Sequence, residues 1–213
     1  MSQIVPGVLT DDEEEYAKRL KVAEHACNLV QIDIVDGKFA NNLTVGVDVI
    51  SKYAPKCMLE IQLMVVMPMN YIDELAKLPY VSKIIFPFEI GGDLNEYIYL
   101  IKRLGKQPGL SLNPDTEIAS ALHLFDDIEL LLLMTGTPGF SGQKLGESTY
   151  ERIRTAKRIN HSLPLEVDIG VNFENAQKLA QAGADFLVSS SALYNEPDFK
   201  NAYDRMSKLA SLK

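Results

Sequence analysis

The chain has 213 residues, of which 46% are hydrophobic and 23% are charged, and this composition is typical of an ordinary soluble globular protein. Its 21 basic and 29 acidic residues give a net charge of −8. This excess of acidic residues argues against nucleic acid or an anionic membrane surface as the main partner, because both bind clusters of Lys and Arg side chains. It does not exclude a small phosphorylated substrate, since a few backbone N–H groups can bind phosphate in an acidic protein.

Two features of the chain predict its compartment. The N-terminus lacks a basic segment followed by an apolar run, and no stretch reaches the ~18 consecutive apolar residues of a membrane-spanning helix. Cys27 and Cys57 are too few for a disulfide framework, and no Cys/His cluster has zinc-finger spacing. We therefore expect a cytoplasmic protein.

Short runs rich in Val, Ile and Leu alternate with amphipathic stretches along the chain. They predict eight buried strands, at residues 3–9, 29–34, 58–64, 81–86, 107–112, 128–134, 165–168 and 186–189. Thr10 and the acids at 11–13 predict a capping box for the first helix, and Ser148 with Glu151 predicts another. Gly183 predicts a helix C-terminus.

Eight strands separated by eight helical patterns predict an α/β fold, a (β/α)₈ barrel that forms a single domain over residues 1–213. Each unit would have about 27 residues, near the lower limit for this fold. A doubly wound open sheet is the alternative. The chain lacks the Gly-x-Gly-x-x-Gly turn after its first strand that would favour the dinucleotide-binding version of that sheet.

The chemistry of such a barrel is expected at the carboxyl ends of its strands. There, Asp33 and Asp168 each interrupt an otherwise apolar strand, which is costly unless the carboxylate is paired, hydrogen-bonded or faces a solvated pocket. Two carboxylates on opposite sides of a barrel mouth could remove a proton from one face of a carbon and return it to the other. The alternative is that each Asp caps a helix or pairs with a neighbouring Lys.

Three turns rich in glycine and hydroxyl residues predict a phosphate site in one sector of the barrel. Such residues let backbone N–H groups approach an anion. Barrels often bind phosphate after strands seven and eight. The turns are residues 138–143 after strand six, 170–172 after strand seven and 189–191 after strand eight. The candidate binding residues are Gly139, Phe140, Ser141, Gly142, Gln143, Ile169, Gly170, Ser190 and Ser191.

Several motifs resemble those of the ribulose-phosphate 3-epimerase family, in order over nearly the whole chain. QIDIVDGKFANNLTVG resembles the family's His-x-Asp-x-Met-Asp-Gly segment and its continuation, and EIQLMV resembles Asp-x-His-Leu-Met-Val. GLSLNPDT, MTGTPGFSGQK and EVDIGVN are similar to the remaining motifs.

This resemblance implies a barrel of the ribulose-phosphate-binding type and a phosphopentulose substrate of the ribulose 5-phosphate/xylulose 5-phosphate kind. The implied reaction is proton transfer at C3 through an enediolate, with Asp33 and Asp168 as the acid/base pair. Met64 and Met134 match methionines that line the family's pocket, although core packing would explain a Met equally well. A homo-oligomer, dimer or hexamer, is also implied.

The metal site departs most from the family's pattern. The family holds a divalent metal with two His and two Asp, and here Gln31 and Gln62 stand at both His positions. We expect His25, His123 and His161 on the outer shell, where they cannot replace them. Further departures are Gly7 for a Ser, Val35 for a Met, and Ile169 and Ser190 for Gly.

Glutamine at these positions has two possible consequences. Together with Asp33 and Asp168, Gln31 and Gln62 would form an all-oxygen ligand set that favours Mg²⁺ or Mn²⁺ over zinc or iron, at reduced affinity. The expected cofactor is therefore none or a weakly held divalent metal. Alternatively, the two NH₂ groups could stabilise an enediolate as an oxyanion hole does.

Three functions are compatible with these residues. The favoured one is a sugar-phosphate 3-epimerase whose metal site is weakened or absent. The second is a metal-independent phosphosugar lyase, aldolase or isomerase on the same barrel, although Lys83 lies too early in strand four for a Schiff-base aldolase. The third is a catalytically silent sugar-phosphate-binding protein, against which the retained Asp33 and Asp168 argue mildly.

Overall fold

The computed structural model describes residues 2–212, which form eight parallel strands closed into a barrel in the order β1 to β8. The strands are β1 (Gln3–Val8), β2 (Leu29–Val35), β3 (Met58–Met64), β4 (Val81–Pro87), β5 (Gln107–Leu112), β6 (Leu130–Met134), β7 (Leu165–Asp168) and β8 (Phe186–Ser189). Closure by pairing of β1 with β8 confirms the predicted (β/α)₈ barrel and excludes the open sheet.

Helices surround this barrel on its outer face. They are α1 (Glu13–Glu24), α2 (Val47–Ile50), α3 (Met69–Ala76), α4 (Leu94–Arg103), α5 (Thr149–Ile159), α6 (Ala176–Ala182), α7 (Ser191–Tyr194) and α8 (Phe199–Ser211). The connection between β5 and β6 carries a 3₁₀ helix, Ile118–Leu124, where the sequence predicts an α-helix. No helix within residues 2–212 is long and apolar enough to cross a membrane.

The helix ends show which capping predictions were right. Asp12 is the N-cap of α1 and accepts a hydrogen bond from Glu15 N at 2.8 Å, whereas Thr10 only accepts from the N–H of Asp12. The capping box that begins at Thr10 was therefore wrong by two residues. Ser148 precedes α5 but its side chain makes no capping hydrogen bond, so the second box was also wrong. Gly183 ends α6 at φ +118°, as predicted.

The strand bounds differ from the predicted ones at a few ends. β6 begins at Leu130 and not at 128, because its pairing with β5 starts where Leu130 meets Gly109. Ile128 is buried in the core without joining the ladder. β2 and β4 each extend one residue further than predicted, and β1 ends one residue earlier. The carboxyl ends of these strands shift by one residue only, and Asp33 and Asp168 remain in β2 and β7.

A buried ion pair lies inside the barrel below the level of Gln62. Glu60 on β3 and Lys83 on β4 approach to 2.7 Å, and Glu60 is fully buried. Lys83 is the only buried Lys or Arg in residues 2–212, and its ammonium lies 5.1 Å from the ring centre of Phe186. Burial lowers the pKa of Lys83, but the carboxylates of Glu60 and Glu166 outweigh it and the net pKa is raised. Lys83 therefore stays charged.

Replacing this lysine tests how much the barrel depends on the ion pair. Lys83→Met leaves Glu60 as an uncompensated buried charge, so we expect the free energy of unfolding to fall by about 3–5 kcal/mol. The double variant Lys83→Met/Glu60→Gln should recover part of that loss. Urea unfolding of both variants measures it, and a Lys83→Met protein as stable as the parent would show that Glu60 needs no counter-ion.

Candidate active site

A cavity of about 320 Å³ opens at the carboxyl ends of the strands. The predicted site residues that line it are Gly7, Asp33, Met64, Met134, Gly139, Phe140, Ser141, Gly142, Gln143, Asp168, Ile169, Gly170, Ser190 and Ser191. Gln31 and Gln62 do not line it, because both are fully buried beneath the two aspartates. The three turns and the two acids thus share one hollow.

Sequence reasoning missed six further residues of the cavity wall: Leu9, Phe173, Val188, Ala192, Asn195 and Glu196. Val171 and Asn172 also line the cavity, and they belong to the predicted phosphate turn at residues 170–172. Asn195 and Glu196 follow the short helix α7, and no local pattern indicated that this helix turns them toward the cavity. None of the described residues that line the cavity is Lys or Arg.

Asp33 and Asp168 stand on opposite strands and are joined through one glutamine. The Gln31 amide nitrogen donates to Asp33 Oδ1 at 2.9 Å and lies 3.5 Å from Asp168 Oδ2. Asp168 Oδ1 also accepts from the backbone N–H of Ile169 at 2.6 Å. Both carboxyls are more than nine-tenths buried, and neither forms an ion pair with a lysine or arginine of the described chain. The helix-cap and lysine-pair alternatives do not describe them.

The Gln62 amide can adopt two orientations, and both require a proton on the Asp33–Asp168 pair. In one, its oxygen accepts from Gln31 Nε2 at 2.9 Å and its nitrogen faces the sulfur of Met134. That oxygen then lies 3.1 Å from both Asp33 Oδ1 and Asp168 Oδ2, where only a protonated carboxyl can donate to it.

In the other orientation the nitrogen of Gln62 donates to both aspartates at 3.1 Å. It then lies 2.9 Å from the Gln31 nitrogen, so the Gln31 amide must turn as well. After this rotation the Gln31 oxygen takes the place of the Gln31 nitrogen, 2.9 Å from Asp33 Oδ1. Two oxygens at this distance need a hydrogen between them, so a carboxyl proton is again required. In either orientation, the close contact of carboxyl and amide oxygens requires at least one proton on the acid pair.

The pKa values of the two acids agree with one shared proton. Burial raises the pKa of Asp33 well above its usual range, and the neighbouring charge of Asp168 raises it further, against a hydrogen bond from Gln31. Burial raises the pKa of Asp168 to about 6, although the Ile169 N–H and the Gln31 amide lower it. Burial thus favours retention of a proton by this coupled pair.

These four residues do not fit a divalent metal well. The NH₂ group of Gln31 already lies within hydrogen-bond distance of Asp33 and Gln62 and close to Asp168, so a donor occupies the space toward which the acids converge. The amide oxygens that would complete a ligand set are neutral and weak. Within residues 2–212, no group of three or more His, Cys, Asp and Glu is placed to hold a metal ion.

The three histidines lie on the outer shell, as expected. His25 follows α1, His123 lies in the 3₁₀ helix between β5 and β6, and His161 follows α5. None of them lines the central cavity. They therefore cannot take the place of Gln31 or Gln62.

The predicted phosphate turns converge on the same cavity. A Cβ at Gly142 would lie 3.8 Å from Ser191 Oγ, and one at Gly170 would clash with Leu145 N at 2.6 Å. Gly142 and Gly170 have positive φ, and their N–H groups have no acceptor among the described residues. The hydroxyl of Ser190 is also without a partner there. Backbone and hydroxyl donors, without a basic side chain, are thus available to an anion.

A barrel with two proton-sharing acids at its mouth, facing an anion-binding sector, defines a class of (β/α)₈ enzymes that act on small phosphorylated substrates. Residues 3–194 match the ribulose-phosphate 3 epimerase family. The chain belongs to this family.

Two proteins with similar sequences carry the name ribulose-phosphate 3-epimerase. The chain is 35% identical to ribulose-phosphate 3-epimerase of Bacillus subtilis (strain 168), over 95% of this chain and 96% of that protein. It is 33% identical to the Escherichia coli (strain K12) enzyme of the same name, over 98% and 96%.

Solved structures of other enzymes share the fold. The 3-hexulose-6-phosphate synthase of Salmonella typhimurium superposes with a TM-score of 0.73 at 16% identity, covering 98% of both chains. The orotidine 5'-phosphate decarboxylase of Pyrococcus horikoshii gives 0.70 at 14% identity, covering 99% of this chain and all of that one. At these identities the likeness shows the barrel alone.

The raised pKa of Asp168 predicts a stability that depends on pH. A buried acid with a raised folded pKa stabilises the fold when protonated, and this contribution is lost as the pH rises from 3.8 through about 6. At pH 8, Asp168→Asn should exceed the parent in free energy of unfolding by about 2–3 kcal/mol. The difference should narrow at pH 4.5.

Urea unfolding at both pH values measures this effect, with Asp126→Asn as a surface control. An Asp168→Asn protein whose advantage is equal at pH 4.5 and pH 8 would contradict the raised pKa.

Proposed function

We propose that the protein epimerises a phosphorylated pentulose at C3, with Asp33 and Asp168 acting on opposite faces of that carbon. The observation that carries this proposal is the close contact of carboxyl and amide oxygens, which requires at least one proton on the acid pair. Epimerisation by two groups needs one ionised base and one protonated acid at the start of each turnover. The names of the relatives support ribulose 5-phosphate and xylulose 5-phosphate as the substrate pair.

The proton balance of the reaction follows from this state. The ionised aspartate takes the proton from C3, and the electron pair of the C–H bond moves into an enediolate. The protonated aspartate then delivers its proton to the opposite face of C3. The net change is inversion at one carbon, and the pair again holds one proton, now on the other acid. Reversal of the two roles gives the reverse reaction.

Gln31 and Gln62 have a supporting role in this proposal. Their amides are fully buried and their donors point at the carboxyls or at Met134, so they are not aimed into the cavity. The oxyanion-hole role expected from the sequence is therefore replaced by a positioning role. The two amides keep the carboxyl oxygens in fixed directions while the proton changes its place.

The substrate phosphate would bind in the sector formed by Gly142, Gly170 and the two serines after β8. A phosphate bound there would anchor the sugar in the same cavity that Asp33 and Asp168 line. Because no basic side chain among residues 2–212 lines the cavity, affinity would come from backbone N–H groups and hydroxyls.

We further propose that the enzyme works without a resident metal. The NH₂ group of Gln31, which lies between the two acids, supports the metal-free proposal. A weakly held Mg²⁺ or Mn²⁺ is the alternative outcome. Metal analysis of active protein, before and after dialysis against a chelator, separates the two. Activity that disappears on chelation and returns with Mn²⁺ would overturn the metal-free proposal.

Solvent deuterium incorporation at C3 of ribulose 5-phosphate, followed by NMR, tests the proton transfer. Asp33→Asn and Asp168→Asn should each lose epimerisation by ~10²–10⁴-fold, because each removes one of two required groups. The single remaining acid should exchange at most one of the two epimers. The exposed Glu174→Gln is the matched charge control.

Undiminished epimerisation in Asp168→Asn would remove that residue from the mechanism. Binding of ribulose 5-phosphate or inorganic phosphate without exchange in the parent protein would identify a silent sugar-phosphate-binding protein.

The glutamines can be tested by restoring the family's ligands. Gln31→His/Gln62→His should bind Zn²⁺ or Mn²⁺ at least ~10-fold more tightly than the parent, since imidazole nitrogen is a far better ligand than an amide oxygen. Isothermal titration calorimetry measures the affinity, and the single variants serve as controls. No gain would show that the backbone around Asp33 and Asp168 no longer has the geometry of a metal site.

A further inference from the structure

Ile169 has an unusual backbone conformation at the centre of the site. Its φ of +78° is the only positive value of a residue other than glycine in the described part of the chain. A β-branched side chain is strongly disfavoured in this region, so the surrounding structure must hold it there. Strain of this kind at an active site suggests a functional reason, and the contacts of Ile169 indicate which.

The backbone of Ile169 is tied to the acid pair. Its N–H donates to Asp168 Oδ1 at 2.6 Å, which fixes the direction of that carboxyl. Its carbonyl and that of Asp168 both lie within hydrogen-bond distance of Thr135 Oγ1, whose single proton they share. Hydrogen bonds therefore hold the backbone of Ile169 on both sides of its Cα.

The side chain of Ile169 is tied to the anion end of the cavity. A Cβ at Gly136 would lie 2.7 Å from Ile169 Cγ2 and 3.0 Å from Gln143 Oε1. Ile169 thus packs directly under the start of the loop after β6. Gln143 closes this loop by donating to the carbonyls of Thr137 and Phe140, both at 2.7 Å.

We propose that Ile169 is a positioning residue that couples the anion-binding loop to the acid pair. The inference rests on the proposed function and extends it. The side chain supports residues 136–143, the proposed phosphate loop, and the backbone N–H holds the Asp168 carboxyl. One residue then links substrate binding to the alignment of the acid.

Two variants separate the side chain from the backbone. Ile169→Ala removes the group that supports the loop and keeps a Cβ at the positive φ. We expect KM to rise by ~3- to 10-fold with kcat within about twofold of the parent. Ile169→Gly removes the same group and also relieves the strain, because glycine adopts positive φ freely, so KM should rise to the same extent and kcat should stay close to that of Ile169→Ala.

Two more variants keep the test falsifiable if Ile169→Gly folds poorly. Gly136→Ala places a methyl group 2.7 Å from Ile169 Cγ2, so it should raise KM as Ile169→Ala does while residue 169 is unchanged. Ile169→Val preserves the branched shape and should restore most of both constants. A purely structural role would lower the unfolding temperature with no separation of KM from kcat.

Binding of inorganic phosphate provides a readout that does not need activity. We expect the Kd of phosphate, measured by calorimetry, to rise ~3- to 10-fold in Ile169→Ala and in Gly136→Ala. In the parent labelled with ¹³C at Asp carboxyls, phosphate should shift the Asp168 signal, and in Ile169→Gly this shift should be lost.

The outcomes distinguish the two proposals. A parent that binds phosphate with this ¹³C shift but does not epimerise would contradict the proposed function and support the coupling. Parent-like phosphate affinity in Ile169→Ala, an unchanged ¹³C response in Ile169→Gly, or equal changes of KM and kcat in both variants would overturn the coupling.

Discussion

Burial of charge inside the barrel constrains everything else in this protein. Two carboxyls at the mouth, Asp33 and Asp168, and two below, Glu60 and Glu166, share the interior with a single ammonium, that of Lys83. Four ionised carboxylates against one cation would be far too costly in an interior that water barely reaches. Protons must therefore be retained, and burial accordingly raises the pKa of Glu166 well above its usual range, as it does for Asp33. Burial of these carboxyls lowers the stability of the fold, and the same burial raises their pKa values, as proton transfer by an acid requires.

The loops at the carboxyl ends of the strands fix the acids and the candidate anion site relative to each other. Asn42 after β2 donates to the carbonyl of Gly139 at 2.7 Å, and a Cβ at Gly139 would lie 2.9 Å from that of Ala40. The loop after β6 is therefore fixed from the β2 side as well as from Ile169. An allowed but unfavourable φ at Ile169 costs of order 1–3 kcal/mol, and it persists because hydrogen bonds on both sides of the peptide determine it. The barrel supplies the rigidity that makes this strain affordable.

The sequence predicts the barrel because eight apolar runs alternate with helical patterns, and it predicts the two acids because a charge in an apolar strand needs an explanation. Asp33 and Asp168 were identified in this way; β7 ends where the pattern indicated, and β2 ends one residue later. Glu60, Lys83 and Glu166 also interrupt apolar strands, but the ion pair depends on which strands are neighbours in space, and spacing along the chain does not contain that distance. The positions of the glutamines were evident, whereas the direction of their NH₂ groups depends on side-chain packing. The Thr10 capping box failed because several adjacent residues could serve as the cap, and only the backbone angles decide.

The two glutamines also explain how the acid pair can keep a proton at all. A divalent cation between two aspartates would hold both carboxylates ionised, because its charge lowers both pKa values. Neutral amides provide hydrogen bonds without that charge, so the mutual repulsion of Asp33 and Asp168 is relieved by sharing a proton instead. Replacement of imidazole by amide at both positions thus does more than weaken a ligand set. In the proposed mechanism it also changes the number of protons that the site carries before substrate arrives, and a site with one proton has both the base and the acid that inversion at a carbon requires.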